Sequence, residues 1–396
     1  MGDLLAELAD VGRDRRRGGY SRHLFDAADV ESRSWFTERS ARLGLDVETD
    51  RNGNLWAWWG TPGPGAVVTG SHLDSVPGGG AFDGPLGVAS ALSAVESLRR
   101  NGFTPIRPLA VVVFGEEEGS RFGVPCLGSR LLTGSLDPDT ARRLRDPDGV
   151  TFAAAAAANG LDPARIGADP KRLSRIGVFV EAHIEQGRGL VDLDSPVALG
   201  STVLPHGRWR FSFTGQGNHA GTTAIRDRRD PMLPAAAVVA AARRIAHAVP
   251  DARATVGRLA ASPGGTNVIA STVDIWLDVR VPGGEVRAVV DGVAAAARTA
   301  AADEGCQVTL VEESFSGAVT FDTGLRDELG ALLGGVPELP TGAGHDAAIL
   351  AEHVPTAMLY VRNPTGISHA PDEFAEPADV QAGVAALTRT LEHLCR

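Results

Sequence analysis

Three consecutive carboxylates, Glu116, Glu117 and Glu118, close the apolar run 108–114 and are followed at once by Gly119. Like charges so placed repel unless cations neutralise them. The segment is therefore either a solvated charged face or a place where metal ions sit. Histidines stand in comparable positions. His72 and Asp74 follow the apolar run 66–70 and are two residues apart, so on a continuing strand they point the same way. On one reading His72 binds a metal and Asp74 fixes its ring from behind; on the other the segment is a turn with a polar cap. Asp83 follows Gly78, Gly79 and Gly80 and precedes a helix-like stretch. It is either a helix N-cap or a ligand reached through a backbone that glycine lets approach closely. His183 and Glu185 share one face of the segment 181–187, and His369 lies within 366–371. Singly, either histidine is more often structural than ligating.

A parallel sheet would bring these residues together. The apolar runs 66–73 and 108–114 flank a helical stretch, 86–100, and further buried strands are predicted over 178–184 and 356–361. Strand, helix, strand at this spacing implies an α/β layer with a mostly parallel sheet, whose sites form at the carboxyl ends of the strands. Each candidate lies at or just beyond such an end, or at the mouth of the next helix. Imidazole and carboxylate ligands without cysteine suit Zn, Mn, Co or Ni. Five such ligands with one bridging carboxylate make a two-metal site, with ions about 3.5–4 Å apart. Residues 208–314 follow another pattern, β-α-β-β-α-β, the ferredoxin-like order. The expected organisation is an α/β catalytic domain, 1–205 and 317–396, with an inserted α+β domain, 206–316.

The 396 residues carry a net charge of −11, which argues against a nucleic-acid or anionic-membrane surface. A local cationic site for an acidic substrate stays open; Arg supplies nearly all the positive charge, since Lys171 is the only lysine. Cys126, Cys306 and Cys395 are far apart and odd in number, so no disulfide framework is implied and a reducing cytoplasm is expected. No membrane span is expected either.

The segments GSHLDSVPGGGAFDG, EEGSRFG, EAHIEQG, GNHAGTT, GGTNVI, GAGHDA and GISHAPDE occur in this order. Together they resemble the M20 metallopeptidase family. More closely they resemble its hydantoinase/carbamoylase branch of N-carbamoyl-L-amino-acid hydrolases, β-ureidopropionases and allantoate amidohydrolases. The resemblance implies two divalent ions, Zn or Mn and otherwise Co or Ni. His72, Asp83 and His183 would hold one, and Asp83, Glu118 and His369 the other. Glu117 matches the general base toward a water acidified by the ions, and Asp74 the partner of His72. Gln186, His219, Asn267 and Arg280 match substrate-binding positions, with His219 also stabilising the oxyanion. The inserted domain resembles a lid and dimerisation domain, so a homodimer is implied. The substrate would be a small ureido acid, cleaved to ammonia and carbon dioxide. The alternatives are an M20-type aminoacylase or peptidase acting on a simple amide, and a catalytically silent binding relative. Ala224, Ala270, Arg362 and the stretch 204–209 depart from the family pattern, and they are expected to reshape the pocket.

Overall fold

The computed structural model describes residues 2–396. The chain divides into two compact units, Met1–Thr202 with Thr320–Arg396, and Val203–Val319.

The first unit is built on one large mixed sheet. Its order begins Asp46–Thr49, Leu55–Trp59, Leu109–Phe114, Ala66–His72, Ile176–Ile184, Thr356–Val361, Val197–Val203. The expected mostly parallel sheet is parallel only at its centre. Ala66–His72 pairs in parallel with Leu109–Phe114 and with Ile176–Ile184, which pairs in parallel with Thr356–Val361. Outside these four, Leu55–Trp59 pairs antiparallel with both its neighbours and Val197–Val203 pairs antiparallel with Thr356–Val361. The three shorter central strands are buried at every residue, which is why they read as continuous apolar runs rather than alternating ones. Val67, Val111, Val180 and Leu359 form the core with Val88, Leu92 and Val95 of the helix Pro85–Arg100 and Leu387 and Leu391 of the last helix, Pro377–Leu394. The strand Val197–Val203 and the last helix were not anticipated. Gly200 and Ser201 interrupt the apolar signal of the former.

The second unit has the β-α-β-β-α-β order. Its four-stranded sheet runs Gln307–Ser316, His206–Thr214, Thr272–Arg280, Arg253–Ser262, all antiparallel. Burial alternates along the central strands, as one covered face requires. Phe211, Phe213, Ile275 and Leu277 pack against Val238 of the helix Met232–His247 and Val289 and Val293 of Val286–Asp303. Arg208, Arg210, Trp276, Asp278 and Arg280 occupy the alternate positions.

Candidate active site

Because the four central strands of the first unit run parallel, their carboxyl ends share one edge, and the residues just beyond meet there. His72 ends Ala66–His72, and His183 is next to last in Ile176–Ile184. Both rings are buried and held in one tautomer. His72 Nδ1 lies 2.9 Å from the main-chain carbonyl of Asp74, and His183 Nδ1 lies 2.9 Å from that of Ile184. A carbonyl only accepts, so in the neutral ring each Nδ1 carries the proton and each Nε2 is left with its lone pair. Neither Nε2 has a hydrogen-bond partner, although both are buried, an arrangement that needs an explanation. They stand 3.5 Å and 3.3 Å from Asp83 Oδ1. On the other side of the same carboxylate, His369 Nε2 is 3.4 Å from Asp83 Oδ2 and 3.3 Å from Glu118 Oε2.

These spacings can be tested against metal binding. Two ligand atoms about 2.1 Å from one ion at a tetrahedral angle stand roughly 3.4 Å apart, the spacing observed on each side. The sets His72, Asp83, His183 and Asp83, Glu118, His369 each bring their ligand atoms within 4.8 Å of one another. Buried lone pairs, matching spacing and a shared carboxylate fit a pair of divalent ions. The helix Pro85–Arg100 begins at Gly84 without a side-chain cap, so Asp83 is not spent as an N-cap. Gly84 is needed here. Its φ is 83°, and a Cβ would meet the His72 ring at 2.5 Å.

The glutamate run turns sharply. Glu116 has φ 57°, which breaks the strand alternation and lets Glu117 and Glu118 follow one another into the site. A solvated face at Glu116 is overturned. Its side chain is buried and accepts from the main-chain N–H groups of Arg121 at 2.8 Å and Phe122 at 2.5 Å. Burial, reinforced by the nearby Asp74 carboxylate, pushes its pKa up to about 8. Glu117 Oε2 lies 3.6 Å from His72 Nε2. Asp74 meets His72 through its main chain. The His72 ring is held by the Asp74 main-chain oxygen, while the carboxylate sits 3.7 Å from Nδ1. That carboxylate instead accepts from the N–H groups of Glu117 at 3.2 Å and Glu118 at 3.1 Å. It pins the turn that carries the glutamates.

The edge is rich in negative charge. Burial pushes the Glu117 carboxyl well above the carboxylate range, and Glu118, Asp346 and Asp74 push it further against the pull of His72. Burial opposes a proton on His72, yet Glu117, Asp83 and Asp74 outweigh it and hold that imidazole well above its ordinary value. A field that draws a proton to a buried ring also draws a cation.

The motif GAGHDA received no role from sequence, yet it enters the site. His345 is buried, neither of its ring nitrogens has a hydrogen-bond partner, and its centroid is 4.6 Å from that of His183. Burial, together with His183, holds its pKa well below the ordinary value, so it stays neutral. Asp346 accepts from Ser129 Oγ at 2.5 Å. Glu181 accepts from Ser71 Oγ at 2.7 Å and from Ala347 N–H at 2.9 Å. The available signal was His-Asp after a glycine, shortly before a buried strand. Gln186 lies among the ligands, its Nε2 2.9 Å from Asp83 Oδ2 and 3.1 Å from Ser368 Oγ. Glu185, on the His183 face in the sequence reading, accepts from Gly189 and Leu190 N–H and caps a short helix instead.

The remaining expected residues lie in the second unit. Asn218–His219 pairs with Val268–Ile269, and Ala220 N–H donates to the Asn267 carbonyl at 2.9 Å, which sets His219 beside Asn267. Gly221 N–H donates to His219 Nδ1 at 3.0 Å. The neutral ring therefore carries its proton on Nε2 and presents a donor. Arg280 ends its strand, and its Nε donates to Asp278 at 2.9 Å. Three of the departures from the family pattern have local accounts. Arg362 makes a two-pronged pair with Asp379 at 2.8 and 2.9 Å, anchoring the last helix rather than shaping a pocket. Ala270 is buried in the core of the second unit, and Ala224 is exposed before the turn Ile225–Asp227.

Residues 68–393 match the model of Peptidase family M20/M25/M40. The chain belongs to this family. It is 35% identical over 399 residues, 99% of this chain and 97% of the relative, to an N-carbamoyl-L-amino acid amidohydrolase of Geobacillus stearothermophilus. It is 30% identical over 406 residues, 99% of this chain and 96% of the relative, to an allantoate amidohydrolase of Bacillus subtilis. Among solved structures it resembles an amidase of the hydantoinase/carbamoylase family from Burkholderia vietnamiensis. That likeness has a TM-score of 0.91 and 30% identity, covering 100% of this chain and 96% of the other.

Proposed function

We propose that this protein is a two-metal amidohydrolase that cleaves a C–N bond of a small ureido acid, an N-carbamoyl-L-amino acid or allantoate, releasing ammonia and carbon dioxide. The observation that carries the reading is Asp83, whose two oxygens face separate ligand sets at metal-binding spacing, with Glu117 beside them. The activities printed for the relatives supply the substrate class.

His72, Asp83 and His183 would hold one ion, and Asp83, Glu118 and His369 the other. When bound, such ions (Zn or Mn, otherwise Co or Ni) polarise a carbonyl and lower the pKa of water. Glu117 has no place in either ligand set. It takes the proton of the attacking water and returns it to the leaving nitrogen. His219, with its donor on Nε2, stabilises the oxyanion, and Asn267 and Gln186 orient the ureido group. Arg280 takes the substrate carboxylate in two-pronged fashion. The second unit serves as lid and dimerisation unit of a cytoplasmic homodimer.

The test is ammonia release by the purified chain with Mn or Zn, against allantoate and a panel of N-carbamoyl-L-amino acids. Release from one of them, abolished by chelator, is the expected result. Hydrolysis of N-acyl amino acids alone would move the assignment to a simple amide.

A further inference from the structure

The last motif of the site, GISHAPDE, supplies more than its histidine. Glu373 lies four residues beyond His369 and is 4% exposed. Its Oε1 accepts from the main-chain N–H of Phe82 at 2.9 Å and of Asp83 at 2.9 Å. Its Oε2 accepts from Ser368 Oγ at 3.3 Å, and the same hydroxyl is 3.2 Å from Asp83 Oδ2. The Glu373 N–H donates to the Ala370 carbonyl at 3.1 Å, which ties the carboxylate to the turn that carries His369. The fit is close. A Cβ on Gly80 would stand 2.2 Å from Glu373 Oε1, so the third glycine of the run 78–80 is the space this carboxylate needs.

We infer that Glu373 is a positioning residue for the metal centre, fixing the backbone of Asp83 and joining the loop that carries Asp83 to the loop that carries His369. The inference rests on the two-metal reading above. Glu373 touches neither ion set with its own oxygens. It acts through Asp83, the one residue common to both sets, so its removal loosens both ions together. Ser368 is the second arm of the same brace, since its hydroxyl spans Glu373 and the outer oxygen of Asp83.

The experiment measures zinc affinity of the full chain by competition with a chromophoric chelator, for wild type, Glu373→Ala, Glu373→Asp and Glu373→Gln. Circular dichroism and the Tm of each metal-free protein are measured in parallel. Alanine removes the acceptor and aspartate withdraws it by one carbon. Both are expected to weaken zinc binding about 10–100-fold, as loss of groups that orient ligands does. Glutamine keeps an oxygen that can accept both N–H groups, so it is expected to recover most of that loss. A purely structural role would lower the metal-free Tm without moving zinc affinity. Folded Glu373→Asp with wild-type zinc affinity overturns the inference, and this variant decides the matter if the alanine variant does not fold. Wild type that binds no zinc or manganese overturns the two-metal reading itself, a result distinct from unchanged affinity in the variants.

Discussion

Asp74 offers a sharp test, because two roles for it predict different losses. If its carboxylate clamped the His72 ring, Asp74→Asn would strip the ion held by His72, Asp83 and His183. The structure assigns that ring to the Asp74 main-chain oxygen at 2.9 Å, which the substitution preserves. The carboxylate holds the N–H groups of Glu117 and Glu118 at 3.2 and 3.1 Å. Asparagine keeps one acceptor and turns an amide donor toward the other N–H, leaving a buried donor unsatisfied. Such a loss costs roughly 1–3 kcal/mol, and these contacts are long, so about 1–2 kcal/mol of stability is expected to go. The larger effect is on position. Glu117 is freed from one side, and a misplacement of about 1 Å can cost ~10²-fold in rate. Glu118, the proposed ligand beside His369, is loosened with it. The expected result is a folded variant that keeps the first ion, binds the second more weakly and turns over ~10²-fold more slowly. Urea unfolding of the metal-free protein, two-class chelator titration and kcat for ammonia release measure the three effects. Loss of the first ion with the second retained, or a wild-type kcat with both ions bound, would refute the reasoning.

Glu117→Gln should keep both ions, since Glu117 belongs to neither ligand set, and should lower kcat by roughly 10²–10⁴; metal content and ammonia release on one preparation decide it. Gly84→Ala forces a side chain into φ 83° against the His72 ring. It should cost about 1–3 kcal/mol for the positive-φ conformation alone and weaken the ion at His72, read by urea unfolding and chelator titration. Glu116 makes stability depend on pH. Its folded pKa of about 8 lies above the ordinary carboxylate value of about 4.3, so between these the folded state binds more protons and stability falls as pH rises. Glu116→Gln removes that fall. The metal-free variant should therefore gain on wild type from pH ~4.5 to ~8 and level off above, and parallel profiles would contradict the burial of an ionisable group there.

The sequence by itself determined the candidate ligands and the frame. Short continuous apolar runs mark strands buried on both faces, a local signal that survives without knowledge of partners. Residues placed just past such runs meet wherever the strands are parallel, which is why His72, Asp83, His183 and His369 could be read as candidates from order and type, while the resemblance singled out Glu118 from its run. The alternation in 206–214 and 272–280 likewise exposed the second unit. What only the tertiary structure decided is which group each polar atom answers. That the Asp74 carboxylate serves the glutamate turn, leaving the His72 ring to the main-chain oxygen, depends on a left-handed residue at Glu116 that no pattern signals. The brace from Glu373 to Asp83 spans 290 residues of chain, and Arg362 is turned from a pocket residue into a helix anchor by Asp379. Hydrophobic burial follows from residue type and period, whereas hydrogen bonds need a partner within about 3 Å and the right direction. Only the folded chain supplies those.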